Sequence, residues 1–409
     1  MTRDARLLFL ARAVRMFGYG ALGVILVLYL SAVGLGAGEI GLLLTLTLAG
    51  DTLVSLYLTT HADRFGRRRT LVVGALLMAG AGIVFADNTA FLVLLIAATL
   101  GVLSPSGGEV GPFLPIEQAS LTEVTPAARR TSIYAWYNLV GSIATASGAL
   151  VSGVSVGVLR GAGWSDIDAY RVVLVGYVVV ALALVPIVRL VSSAVEVPPV
   201  DTTIAGRLGL HRSRGIVGRL AALFALDAFG GGLIVLSLLA FWFHQRFGVS
   251  EAVIGTIFFA SNILAAVSAL AAARIAARIG FINTMVFTHL PSNVLLMLVP
   301  LMPSVELAIA LLLLRFSISQ MDVPARQSYT MAVVDPDERS AAAGVTGIAR
   351  TTGAALSPLI AAPLFAIPGL ASVPFFLAGG LKIVYDLALW RAFRSRREPV
   401  DPGSGQDRR

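Results

Sequence analysis

Long apolar runs separated by short polar breaks recur from one end of the chain to the other, and their spacing predicts membrane-crossing helices. Each run holds roughly 20 apolar residues, enough to cross a hydrocarbon core about 30 Å thick. Backbone amides and carbonyls find no water there, so only helices or closed barrels can satisfy them. Barrel strands would alternate polar and apolar residues over about 10 positions, and these runs do not. The first run starts near Leu7, and no small-residue cleavage site follows a short apolar core, so it is expected to stay as an uncleaved helix. Further spans fall at about 38–60, 70–86, 90–121, 131–158, 170–192, 217–244, 251–273, 281–302, 305–333, 340–367 and 372–393, which makes twelve.

Composition narrows the class. Of 409 residues, 57% are hydrophobic and 13% charged, and the mean hydropathy is +0.85, more apolar surface than a soluble fold of this size could hide. Cysteine is absent, which removes disulfides, thiolate metal sites and cysteine nucleophiles. The histidines, His61, His211, His244 and His289, fall on separate loops or helix ends without metal-ligand spacing. No Gly-x-x-x-x-Gly-Lys-Ser/Thr run is present. No metal, cofactor, ATP site or enzymatic centre is expected.

The net charge of +8 resides in arginines beside helix ends, with Lys382 the single lysine. That is the distribution of topology determinants and not of a nucleic-acid surface. Arg64, Arg67, Arg68, Arg69, Arg129, Arg130, Arg207, Arg212, Arg214, Arg274, Arg278 and Arg339 fall on one side with the tail's Arg394, Arg396 and Arg397; the opposite loops carry Arg160, Arg171 and Arg246. Both termini are therefore expected in the cytoplasm, in a cell inner (plasma) membrane protein. The expected division is a six-helix half over 1–192, a cytoplasmic linker over 193–216, a second half over 217–395 and a disordered tail over 396–409.

Short signatures repeat between the halves at an offset near 210 residues, as parallel repeats would. Phe17-Gly18-Tyr19-Gly20 matches Phe229-Gly230-Gly231-Gly232, Ile40-Gly41 matches Ile254-Gly255, and Arg64-Phe65-Gly66 matches Arg278-Ile279-Gly280. Leu114-Pro115-Ile116-Glu117-Gln118 matches Val323-Pro324-Ala325-Arg326-Gln327, and Pro126 to Arg129 matches Pro336 to Arg339.

Between spans 2 and 3 the chain reads Thr59-Thr60-His61-Ala62-Asp63-Arg64-Phe65-Gly66-Arg67-Arg68-Arg69. This resembles the major facilitator signature Gly-x-x-x-Asp-Arg-x-Gly-Arg-Arg, with Thr59 where the family usually has Gly and Ala277 where the second half's copy would carry the acid. The resemblance implies an all-α membrane protein of two six-helix bundles related by a pseudo-two-fold axis. It also implies that spans 1, 4, 7 and 10 line a central cavity, and that Asp63, Arg64, Gly66 and Arg67, with Glu117 near the end of span 4, form a conformational latch. In that latch Asp63 would face the N-terminus of span 11 and Arg67 would pair with Glu117, with Glu123 as the other acid in reach.

The cavity-lining spans carry charges at membrane depth: Arg12 and Arg15 in span 1, Glu109 in span 4, Asp227 in span 7, and Arg315 and Asp322 in span 10. Each would cost roughly 2.5–3.5 kcal/mol unpaired, so they must be paired, hydrated or protonated. Arg12 is expected to snorkel, and Arg15 to pair with Asp227, its counterpart in the other half. Arg15, Glu109, Asp227, Arg315 and Asp322 are the candidate substrate and coupling residues, with Asp51 and Arg350 below them. Span 4 is broken by Ser104-Pro105-Ser106-Gly107-Gly108-Glu109-Val110-Gly111-Pro112, which frees backbone groups of the kind tolerated only against protein or a wet cavity.

The expected function is secondary active transport by alternating access: proton-coupled export of a small organic compound by a monomer in the lipid bilayer. Uptake or exchange of an anionic metabolite held by cavity arginines is the alternative. The absence of the Gly-Pro pair in span 5 and of the span-4 arginine common in the family's drug antiporters sets the chain apart from those.

Overall fold

The computed structural model describes residues 1–126, 129–196, 212–335 and 338–394. Most of the expected linker, the whole of the expected tail and parts of the Pro126 and Pro336 repeats lie outside the described residues. The first half comprises α1 (Arg3–Ala32), α2 (Ala37–Phe65), α3 (Arg67–Asp87), α4 (Phe91–Leu100), α5 (Phe113–Glu123), α6 (Arg130–Gly161) and α7 (Asp166–Arg189). The second comprises α8 (Arg214–Gly232), α9 (Leu236–Phe247), α10 (Glu251–Ile279), α11 (Phe281–Leu298), α12 (Val305–Phe316), α13 (Asp322–Ala332), α14 (Arg339–Leu356), α15 (Pro358–Ala366) and α16 (Val373–Phe393). Among the described residues, 10 segments are long and apolar enough to cross a membrane, counting α8 with α9 and α14 with α15. Spans 4 and 10, each split into two short helices, are the other passes.

Both splits follow from proline. Pro115 has no N–H for the Gly111 carbonyl, and Pro324 has none for that of Gln320, so the helical ladder cannot close across either join. In span 4 the chain uses the left-handed backbone of Gly107 (φ 66°) and Gly111 (φ 77°) to cross the gap. The break in span 10 was not expected from the sequence, because no glycine marks it. The Gly66 and Gly280 of the repeat both have positive φ, 95° and 83°, where they turn the chain from α2 into α3 and from α10 into α11.

At the end of the molecule away from the chain termini, the two halves share one continuous apolar core that runs from α1 and α2 into α9, α10 and α15. Gly41 lies against Pro358 and Ala362, and Gly153 lies so close to the Glu251 carbonyl that a Cβ there would overlap it. At the terminal end the apolar contacts separate into one cluster within the first half, around Leu8, Leu121 and Tyr137, and others within the second, around Phe224, Tyr329 and Tyr385. The molecule is sealed at one end and parted at the other.

Candidate functional site

Two adjoining cavities of about 380 and 360 Å³ lie between the halves and share Ser106, Gly231 and Val235. The first is lined by Ser142, Ser261, Asn262, Arg315 and Gln320 among others. The second holds Asp51, Glu109, Asp227, Arg350 and Lys382. Spans 4, 7 and 10 place charge on this space, together with α2, α14 and α16, whereas the arginines of α1 line neither cavity and stand behind Glu109.

In the first half, α1 presents two arginines one turn apart to the broken span. Arg15, 0% exposed, forms a two-pronged bridge to Glu117, with Nη1 at 2.5 Å from Oε1 and Nη2 at 2.9 Å from Oε2. Its Nη2 also donates to Glu109 at 3.2 Å, and its guanidinium lies over Phe113. Arg12 bridges Glu109 as well and lies 4.2 Å above the Tyr137 ring, whose hydroxyl donates to Glu117. Arg12 is therefore buried and paired and does not snorkel, because Glu109 and an aromatic face are within reach.

The second half builds a larger cluster around Asp227 of α8. Its Oδ1 meets Lys382 Nζ at 2.6 Å, and its Oδ2 meets Arg326 Nη1 at 3.1 Å and Arg350 Nη1 at 3.8 Å. Asp322 holds the same Arg326 nitrogen at 3.1 Å. Behind them His289 lies with Nδ1 at 2.9 Å from Asp386 and Nε2 at 3.8 Å from Asp227, while Asn293 donates to Asp386 at 3.0 Å. His289 is thus buried within α11, not at a helix end as the sequence suggested. The expected Arg15–Asp227 bridge is not formed, because each residue is already satisfied inside its own half.

Arg315 stands apart. It lines the first cavity, lies against the Phe316 ring at 4.9 Å, and among the described residues has no ion-pair partner; its Nε is buried without a hydrogen bond. Asp51 lines the second cavity. Its Oδ1 accepts from the Gly111 N–H at 2.6 Å, with no cation beside it.

The latch residues assemble differently from the expectation. Arg67 meets Asp63 at 2.7 Å and Glu123 at 3.8 Å and donates to the Val195 carbonyl, whereas Glu117 turns inward to Arg15. Asp63 is exposed and does not reach α14, since this is the parted end. Gly66 supplies the turn that lets Glu196 accept from the first amides of α3, those of Arg67 at 2.7 Å and Arg68 at 3.1 Å. Arg64 and Gly66 line a separate surface cleft with Arg68, Arg69 and Arg189.

Sequence reasoning missed Arg326, Lys382, His289 and Asp386. One signal was available: the repeat sets Glu117 opposite Arg326 just as it sets Arg15 opposite Asp227, so the Arg–Glu pair of one half is an Asp–Arg pair in the other. It also missed the polar clasp at the sealed end. There Glu251 of α10, 0% exposed, accepts from Arg160 of α6 at 3.0 Å and from the Tyr170 hydroxyl of α7 at 2.6 Å.

Comparison with known proteins bears on this arrangement. The family model of the Major Facilitator Superfamily matches residues 8–358 and 220–409. The uncharacterized membrane protein YJR124C of Saccharomyces cerevisiae is 30% identical over 419 residues, spanning 95% of this chain and 93% of its own. Among solved structures, the nucleoside transporter NupG superposes with a TM-score of 0.72 at 14% identity over 97% of this chain and all (100%) of its own. A D-xylose-proton symporter does so with a TM-score of 0.71 at 15% identity over 95% and 97%.

Proposed function

The chain belongs to the Major Facilitator Superfamily, and from that premise we propose that it carries a small polar compound bearing an anionic group. It is a multi-pass membrane transporter and not an enzyme. Carriers of this architecture work by rocking two halves about a fixed central site, and the seal at one end with separation at the other is what one extreme of that motion requires.

Arg315 carries the reading of the cargo. Among the described residues, every other arginine or lysine around the cavities has a carboxylate within ion-pair distance, whereas Arg315 faces the first cavity without one. A carboxylate or phosphate brought by the cargo would offset the cost of that buried charge through two parallel hydrogen bonds. Ser142, Ser261, Asn262 and Gln320 supply further donors and acceptors. This lining supports the alternative to export, uptake or exchange of an anionic metabolite.

A proton is the fitting coupling ion. An anion entering a negative interior is opposed by about 2.3 kcal/mol per charge per 100 mV, and a proton moving with it cancels that charge. The arginine bias supports a cytoplasmic terminal end in a cell inner (plasma) membrane, with the parted face opening inward. One chain supplies the whole cavity and acts as a monomer. Labelling of a Gly215→Cys variant by an impermeant maleimide only after cells are opened supports this orientation; labelling in intact cells overturns it.

Counterflow in proteoliposomes tests the cargo, with radiolabelled mono- and dicarboxylates and sugar phosphates set against their neutral amides and unphosphorylated parents. The expected result is exchange of acids alone, lost in Arg315→Gln and partly kept in Arg315→Lys. Exchange confined to neutral compounds, or acid exchange unchanged in Arg315→Gln, would overturn the reading.

A further inference from the structure

We propose that Asp51 is the group that takes up and releases the coupling proton, and that the Gly111 peptide in the broken fourth span senses its charge. The inference rests on the transporter reading but not on the anionic cargo. Of the carboxylates that face the cavities, Glu109 is held by Arg12 and Arg15, and Asp227 by Lys382, Arg326 and Arg350. Losing charge on either would strand cations at membrane depth. Deeper in the second half, Asp322 is held by Arg326 and Asp386 by His289. Asp51 strands none, because among the described residues no cation lies within ion-pair distance of it. A charge in that position is costly, and gaining or losing one proton there leaves every ion pair intact.

The neighbours of Asp51 give its charge something to move. Its carboxylate accepts from Gly111 N–H at 2.6 Å while Ser55, one turn further along α2, donates to Gly111 O at 2.9 Å. That carbonyl is the one Pro115 leaves without a helical partner. The same irregular stretch is tied to α1 by Tyr19, whose hydroxyl donates to Val110 O, and to α7 by Tyr177, which donates to Val102 O at 2.7 Å. It reaches the other half through Pro105 O, which accepts from Ser237 N at 3.2 Å. The other charged groups around Asp51 are Glu109 of the same stretch and, from the facing half, Asp227 of α8, Arg350 of α14 and Lys382 of α16. Ionised Asp51 makes a charge-assisted bond that holds this stretch against the sealed end; protonation weakens the bond and frees the seal to open.

The cysteine-free chain allows a test without knowledge of the cargo. Ala362 of α15 is buried against Gly41 across the seal, so Ala362→Cys reports its opening. In purified full-length protein, maleimide labelling corrected for the reagent's own pH dependence should be about tenfold faster near pH 5 than near pH 8. Added Asp51→Asn should fix the rate at the fast limit, within about twofold at both pH values. Ser55→Ala, which loosens Gly111 without a titrating group, should raise the rate at every pH and keep the dependence. A tenfold dependence that survives Asp51→Asn, or none in the Ala362→Cys parent, would overturn the assignment. Loss of acid exchange in the counterflow assay would leave this result untouched, so the two failures are distinguishable.

Discussion

The two halves solve the same electrostatic problem with opposite signs. In the first, a cation on α1 meets an anion on α5, Arg15 with Glu117; in the second, an anion on α8 meets a cation on α13, Asp227 with Arg326. The positions correspond through the repeat, yet the polarity is reversed. Around these pairs the first half adds Arg12 and Glu109, and the second adds Asp322, Asp386, Lys382, Arg350 and His289. Apart from Arg315 and Asp51, the charges around the cavities are thus neutralised inside each half and not between them. Halves that must rock past one another at membrane depth then break no mid-depth ion pair in doing so. The exception proves useful at the sealed end, where Arg160 and Tyr170 grip Glu251 across the halves and must release it on opening.

The strongest way to break this comparison is to remove one member of a cluster. Asp227→Asn would leave Lys382, Arg326 and Arg350 facing one another with Asp322 and the His289-bound Asp386 as the remaining acids. It should cost about 3–5 kcal/mol, read as a large loss of melting temperature in detergent. Glu117→Gln should cost less, because Glu109 still faces Arg15. If the two halves tolerate these losses without destabilisation, the clusters are solvated and the comparison fails.

An intermediate effect is expected at the sealed end. Glu251→Gln removes a charged acceptor from Arg160 and Tyr170, worth about 1.5–3 kcal/mol of the sealed conformation. Ala362→Cys in that background should label faster at every pH, with the melting temperature changed less than by Asp227→Asn. Unchanged labelling would show that apolar packing alone holds the seal.

The smallest effect belongs to Asp63. Its side chain is exposed and its bridge to Arg67 is an i,i+4 pair, so Asp63→Asn should change stability by less than about 1 kcal/mol. A loss as large as that of Asp227→Asn would mean that Asp63 meets a buried partner that this conformation lacks.

The spans, the repeat and the break in span 4 were legible in the sequence because each is local: apolar runs of bilayer length, and a proline with glycines that a helix cannot absorb. The pairing of charges was not. Glu117 reads equally well as a partner for a loop arginine or a helix arginine, and which it meets depends on how α1 packs on α5. Lys382 registered only as the lone lysine, and His289 as one of four scattered histidines, since nothing in the local sequence brings α11 and α16 to α8. Asp51 and Arg315 could be distinguished only after the other charges had been paired off.

Double-mutant cycles on thermal unfolding test the central claim most directly, comparing a pair within a half with a pair across the halves. Arg15→Gln with Glu117→Gln should be non-additive by about 0.5–3 kcal/mol, and Arg15→Gln with Asp227→Asn should add within about 0.5 kcal/mol. Coupling of Arg15 to Asp227 as strong as that of Arg15 to Glu117 would contradict the account, because it would mean that buried charge is balanced between the halves.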